Sequence, residues 1–130
     1  MRLPVSVCVV LLLVACRADA AGTKRDLCGD LGHLAATVEA LAAAEPDSRI
    51  ATIRGALEKM DPTFGNLSRS ALADPAVLDR LLRAHVGYRD LLVDVGDDET
   101  YAVLGAAAPV AALEFRAAFR AVVADLGCDG

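Results

Sequence analysis

From residue 27 onward, apolar residues return along this chain at helical spacing, and no useful stretch alternates with period two. Leu27, Leu31, Leu34, Val38 and Leu41 follow at steps of 4, 3, 4 and 3, which puts all five on one stripe of a helix. Asp26 and Asp30 fall in its first turn, where carboxylates favour the helix dipole. Pro46 keeps Glu45 out of helical geometry, so this helix ends near Ala44. Asp47 or Ser48 caps a second helix with Ile50, Ile53, Leu57 and Met60 on its inner face. Asp61-Pro62 ends it and opens a third piece over residues 62–73. Gly65, Asn66 and two serines lower helical propensity there, which predicts a short helix or an irregular connection.

Asp74-Pro75 repeats the cap-then-proline signal ahead of a stronger helix. Leu78, Leu81, Leu82, His85, Tyr88, Leu92 and Val95 trace its inner face, and Gly96 closes it as a C-terminal cap. The last helix opens on the acidic turn Asp97-Asp98-Glu99-Thr100. It carries Tyr101, Leu104, Ala108, Ala111, Phe115, Phe119, Val122 and Leu126 along one side and stops at Gly127. Pro109 falls inside this pattern and predicts a kink or division of the helix. β-branched and aromatic residues are sparse, so no strand is expected. The fold class is all-α: an up-down-up-down four-helix bundle with a short extra helix.

Cysteine usage fits that topology. Cys28 and Cys128 stand near the two ends of the domain, about 100 residues apart. An even number of alternating helices brings those ends together, so one disulfide joins the termini in an oxidising compartment. The alternative is two unpaired thiols. Two cysteines so far apart do not resemble a zinc site, which needs four ligands with close pairs.

The first residues read as an export signal. Met1-Arg2 brings one positive charge, and residues 5–15 are almost wholly apolar. That run suits a signal-peptide core and falls short of the ~20 residues that span a bilayer. Its end, Leu13-Val14-Ala15-Cys16, resembles the lipobox of bacterial lipoproteins: aliphatic, small or β-branched, small, then cysteine. The resemblance covers the leader and Cys16 only. It implies that Cys16 is diacylated, becomes the first mature residue, and anchors the chain to the outer face of a membrane. The rival site is Ala18-Asp19-Ala20, a small-x-small pattern that releases a soluble protein beginning at Ala21. The expected organisation is a signal peptide at 1–15 (alternatively 1–20), a flexible tether at 16–25 and a helical domain at 26–130. Asn66-Leu67-Ser68 matches a glycosylation sequon. The chain's eleven arginines against two lysines instead suggest a high-GC bacterial genome, which makes the sequon accidental.

Loss of the leader leaves roughly 110 residues, one domain by size, with 12 basic against 18 acidic groups. A net charge of −6 without a basic patch argues against nucleic acid and against electrostatic attachment to anionic lipid. Membrane attachment therefore depends on the acyl chains.

Few residues offer chemistry. His85 and Tyr88 lie one turn apart on the apolar stripe. They read either as a donor pair for haem or another metal cofactor, or as a core histidine and tyrosine with internal partners. His33 sits beside the first stripe and is expected to be exposed. Asp94, Asp97, Asp98 and Glu99 form the densest acidic cluster, but their spacing lacks the alternation and terminal Glu of an EF-hand loop. No nucleophile elbow, phosphate loop or dinucleotide fingerprint is present. No metal, cofactor or catalytic residue is expected. The small-residue runs Gly105-Ala106-Ala107-Ala108 and Ala111-Ala112 serve either tight helix packing or a narrow groove beside Pro109, open to an apolar ligand or a partner helix.

The expected function is a non-catalytic binding or interaction module on the extracytoplasmic face of a membrane. The alternative is a soluble secreted carrier of haem or a small apolar ligand. In architecture alone, the chain is similar to small secreted helical haem-binding proteins with terminal cysteines. A third alternative, a secreted eukaryotic or viral factor, predicts a glycan on Asn66.

Overall fold

The computed structural model describes the backbone of residues 5–128 and the side chains of residues 23–128. It is helical, with no strand among the described residues; its one β-type contact is an isolated antiparallel bridge between Arg49 and Thr100. The elements are α1 (Val5–Ala42), α2 (Ile50–Glu58), α3 (Asp61–Ser70), α4 (Pro75–Asp90), a 3-10 turn (Tyr101–Leu104) and α5 (Ala107–Leu126). No helix among the described residues is long and apolar enough to cross a membrane.

The α1 backbone is continuous through residues 17–25, where the sequence suggested a tether. Asp26 and Asp30 consequently lie inside the helix instead of its first turn. The stripe itself forms as expected: Leu27, Leu31, Val38 and Leu41 are buried, and Leu34 is half-buried at its margin. The Cys16 side chain, with its expected acyl modification, lies outside the described residues.

The start of α2 departs from expectation. Its cap residue is Arg49, whose side chain makes no capping bond. The first amides bond instead to a distant loop, Ile50 N–H to Glu99 O at 2.9 Å and Ala51 N–H to Asp97 O at 3.3 Å. A helix needs its leading amides satisfied, and here tertiary carbonyls do what a local side chain was expected to do.

Asp74 caps α4 as its sequence signal predicts: Oδ1 accepts from Ala76 N–H at 2.9 Å and Val77 N–H at 3.2 Å, with Pro75 as the first helical residue. The Asp74 amide in turn donates to Asp125 Oδ2 at 2.7 Å, tying the start of α4 to the end of α5. The other end of α4 is corrected. The helix stops at Asp90, and Gly96 is not a left-handed cap, since the positive-φ glycines are Gly105 and Gly127. The last carbonyls of α4 are taken by the turns that follow, with Leu91, Leu92 and Val93 N–H bonding to Tyr88, Arg89 and Asp90 O. Arg54 of α2 ties down the segment beyond: one guanidinium nitrogen donates to Leu92 O at 2.8 Å and to Val95 O at 2.6 Å, and the other pairs with Asp97.

The last helix also starts later than predicted. Gly105, at φ +66°, separates the 3-10 turn from α5. Pro109 therefore stands in the first turn of α5 and does not kink it; amides there have no intrahelical acceptor, so a missing N–H costs nothing. At the far end Gly127 adopts φ +68°, and Cys128 N–H reaches back to Val123 O at 3.1 Å. This reversal carries Cys128 to Cys28, and the two are joined as a disulfide with their Cα atoms 5.3 Å apart. Further along the α1–α5 contact, Glu39 pairs with Arg116 at 3.3 Å and Arg120 at 2.6 Å. The core between the helices is led by Leu31, Leu57, Leu81, Tyr88, Phe115 and Val122, each at most 1 % exposed.

Candidate interaction face

The pair marked in the sequence, His85 and Tyr88, sits in the aromatic centre of the core. His85 is 4 % exposed, and its Nε2 lies 3.0 Å from Leu57 O, in the last turn of α2. A carbonyl can only accept, so Nε2 carries the proton. The ring packs edge-on against Phe64, centroids 5.0 Å apart, and lies 5.8 Å from Phe115. Burial pushes the His85 pKa below its ordinary value; the Leu57 carbonyl and Asp61, 3.9 Å away, oppose that shift only in part. The imidazole is therefore neutral and structurally committed.

Tyr88 is fully buried, and its hydroxyl meets the Tyr101 hydroxyl at 3.3 Å. Burial and that contact hold its phenol far above the ordinary range. Phe115 lies between the two residues' environments, 6.5 Å from the Tyr88 ring. His85 faces α2 and α3, whereas Tyr88 faces the 3-10 turn, so their polar atoms do not converge on one ligand position. Among the described residues no buried side-chain polar atom lacks a partner, and no group of three metal-ligating side chains occurs.

The other marked residues are placed as follows. His33 is exposed. Asn66 is exposed on α3, with its carbonyl oxygen bonded to Arg69, and Ser68 donates to Phe64 O at 3.0 Å. In the acidic cluster, Asp97 is bound to Arg54, and the Asp97 and Glu99 carbonyls cap α2.

A different surface stands out. Residues 101–113 contain no charged side chain. The core takes Tyr101, Ala108 and Ala112 from this stretch, but much of the remainder faces water: Val103 is 55 % exposed, Val110 56 % and Leu113 48 %. Ala102, Ala106, Ala107 and Pro109 are exposed beside them. Between α4 and α5 this surface dips into a groove of about 300 Å³. Ala84, Gly87 and Leu91 form one wall, Ala107, Val110 and Ala111 the other, and Tyr88 lies behind; Arg83 and Glu114 flank one end. The small residues create the groove because they let the helices approach while leaving no side chains to fill the seam.

Two further clefts are more polar. One, about 480 Å³, lies between α1 and α3 among Asp26, Asp30, Asn66 and Arg69. The other, about 370 Å³, lies between α2 and α4 beside Arg54, Val86 and Arg89. The sequence carried a signal for the apolar groove in the alanine runs after Gly105. The inner stripe read from the spacing, Tyr101, Leu104, Ala108 and Ala111, is buried or half-buried, which leaves Val103, Val110 and Leu113 facing water. Compared with known protein families, characterised proteins and solved structures, the chain matches none.

Proposed function

We propose that this chain is an exported helical domain, anchored by lipid on Cys16, that acts by binding a partner at the α4–α5 face and carries out no catalysis. The observation that carries the interaction reading is the uncharged, outward-facing surface of residues 101–113 beside the groove. Export is supported by the Cys28–Cys128 disulfide, since structural disulfides belong to oxidising compartments. That pairing leaves Cys16 without a partner in the mature chain, as an acylation site requires. In this reading the helices form an up-down-up-down bundle, with α2 and α3 sharing the second leg. The bond from Asp74 to Asp125 joins the beginning of α4 to the C-terminal end of α5. The Cys28–Cys128 disulfide joins that same end to α1 ahead of the Glu39 pairs with Arg116 and Arg120, so α1 and α4 each run antiparallel to α5, which supports that arrangement.

Two measurements test the proposal. Intact mass of the exported protein should show a diacylated chain beginning at Cys16; an unmodified chain beginning at Ala21 removes the anchor. A photo-crosslinking residue at Val110, introduced in the exporting cell, should give a discrete adduct, and none should form from a residue at exposed His33. Absence of any Val110 adduct removes the interaction role. The carrier alternative requires His85 or Tyr88 to give up its internal bond to a ligand. An unchanged Soret spectrum on adding haem ends it.

A further inference from the structure

We propose that the occupant of the α4–α5 face is a second copy of this chain, in a side-by-side two-fold dimer whose axis runs parallel to the two helices. This deepens the interaction reading above and rests on it, naming the partner.

The geometry is self-complementary. Arg83 on α4 and Glu114 on α5 flank the same end of the groove from opposite sides. Arg83 is exposed, with its Nε 2.7 Å from Asp79, and Glu114 has no ion pair among the described residues. Helices α4 and α5 run antiparallel, since the start of one is bonded to the end of the other. A two-fold axis parallel to them exchanges left and right but keeps the level along the helices. It sets Arg83 of one copy against Glu114 of the partner subunit, and the reciprocal pair forms on the other side. The same operation brings Val110 to the level of Gly87 of the partner subunit. A side chain's first carbon placed at Gly87 would meet nothing within 4 Å, so that position is an open slot. A two-fold axis lying in the interface but perpendicular to the helices would instead reverse the levels and lay Arg83 over the uncharged end of the groove at Leu91 and Ala107.

Charge and area narrow the choice further. The exported chain carries a net charge of −6, so two copies repel at long range and add least to that repulsion where the contact surface is uncharged. Residues 101–113 form such a surface. A patch of about 300–600 Å² gives about 600–1,200 Å² in a symmetric pair, the size of weak, transient contacts. The dimer is therefore weak and concentration-dependent. A parallel two-fold also leaves both Cys28 ends on the same side, so two chains tethered to one surface pair without inversion, at raised effective concentration.

The test is sedimentation velocity of the exported protein over a range of concentrations, in density-matched detergent. The expected result is a reversible monomer–dimer equilibrium. Arg83→Glu and Glu114→Arg should each weaken it by about tenfold or more, because each reversal replaces two attractive contacts with two repulsive ones. The combined R83E/E114R variant should recover most of the association, since the pairs re-form with exchanged signs. All these side chains are exposed, so the helical circular dichroism should match wild type. A monomer at every concentration overturns the dimer, as does association indifferent to either reversal or a combined variant no better than the singles. The Val110 adduct separates this failure from that of the interaction reading. An adduct of twice the chain mass supports the dimer. An adduct with a different protein or with lipid, in a chain that sediments as a monomer, removes the dimer and keeps the interaction role.

Discussion

Replacing both bonded cysteines, Cys28→Ser with Cys128→Ser, isolates what the cross-link contributes. The bond closes a loop with a sequence separation of 100. For that length the chain-entropy model assigns about 4.7 kcal/mol, and removal of native disulfides from small domains costs about 2–5 kcal/mol. In a domain of this size each kcal/mol moves the melting temperature by roughly 4–8 °C, so the expected fall is about 8–40 °C. The native fold should persist, because its neighbours hold the ends together independently. Leu27, Leu31 and Leu126 are 2 %, 1 % and 4 % exposed, and Glu39 still pairs with Arg116 and Arg120. Thermal and urea unfolding followed by circular dichroism measure the loss. The urea m-value should rise, since an unfolded chain without the cross-link exposes more surface. A loss under about 1 kcal/mol would refute the entropic argument. Loss of helix signal at low temperature would refute the claim that packing alone holds the ends in register.

Other perturbations reach different parts of the structure. Arg54→Ala removes charge-assisted bonds to Leu92 O and Val95 O at a position only 28 % exposed; it should cost about 2 kcal/mol and speed amide exchange over residues 91–100. Asp97→Ala removes the 67 % exposed partner and should cost under about 1 kcal/mol, so equal losses from the two variants would contradict the leading part given to the carbonyl bonds. Asp74→Ala should cost about 1 kcal/mol and Asp74→Ser much less, because serine retains an acceptor for the two helix amides; denaturant midpoints rank them. For His85, burial depresses the folded-state pKa, so the unfolded chain binds the proton first. Its contribution is complete above the unfolded value near ~6.5 and is lost as pH falls from there through the folded pKa. His85→Gln should flatten that slope in unfolding free energies compared at neutral and mildly acidic pH. An unchanged slope would remove His85 as its source.

What the residues reveal on their own depends on where each partner lies. The α1 stripe and the Asp74-Pro75 start of α4 are legible because their determinants are local: spacing in one case, a cap two and three residues from its amides in the other. The stretch from Gly96 to Pro109 misleads for the opposite reason. Its acidic residues resemble a helix start, yet their carbonyls cap α2, some 48 residues earlier. Gly96 resembles a helix stop, yet the helix ends at Asp90 in backbone turns, and Arg54 holds the segment between them across the fold. Pro109 breaks a helix or begins one depending on the start point, and the break at Gly105 is a backbone dihedral that its alanine neighbours do not announce. The late start of α5 nevertheless leaves the inner stripe in place: Tyr101 and Ala108 are buried and Leu104 and Ala111 half-buried, as their spacing implies. His85 shows a further limit. A histidine on an apolar stripe reads alike whether it awaits a ligand or bonds to Leu57 O.

The cross-link between Cys28 and Cys128 also has a mechanical meaning. A pull applied to residues before Cys28 enters the domain at a position covalently joined to the end of α5. Tension from there toward the α4–α5 face passes through one sulfur bridge and along α5 itself. It bypasses the hydrogen bonds and apolar contacts that hold α2, α3 and α4 in place. The α1–α5 seam is loaded at a point that cannot open, so stretching cannot peel those helices apart from this end. In a reducing medium the same tension would act directly on the packing, and the domain should yield at much lower force.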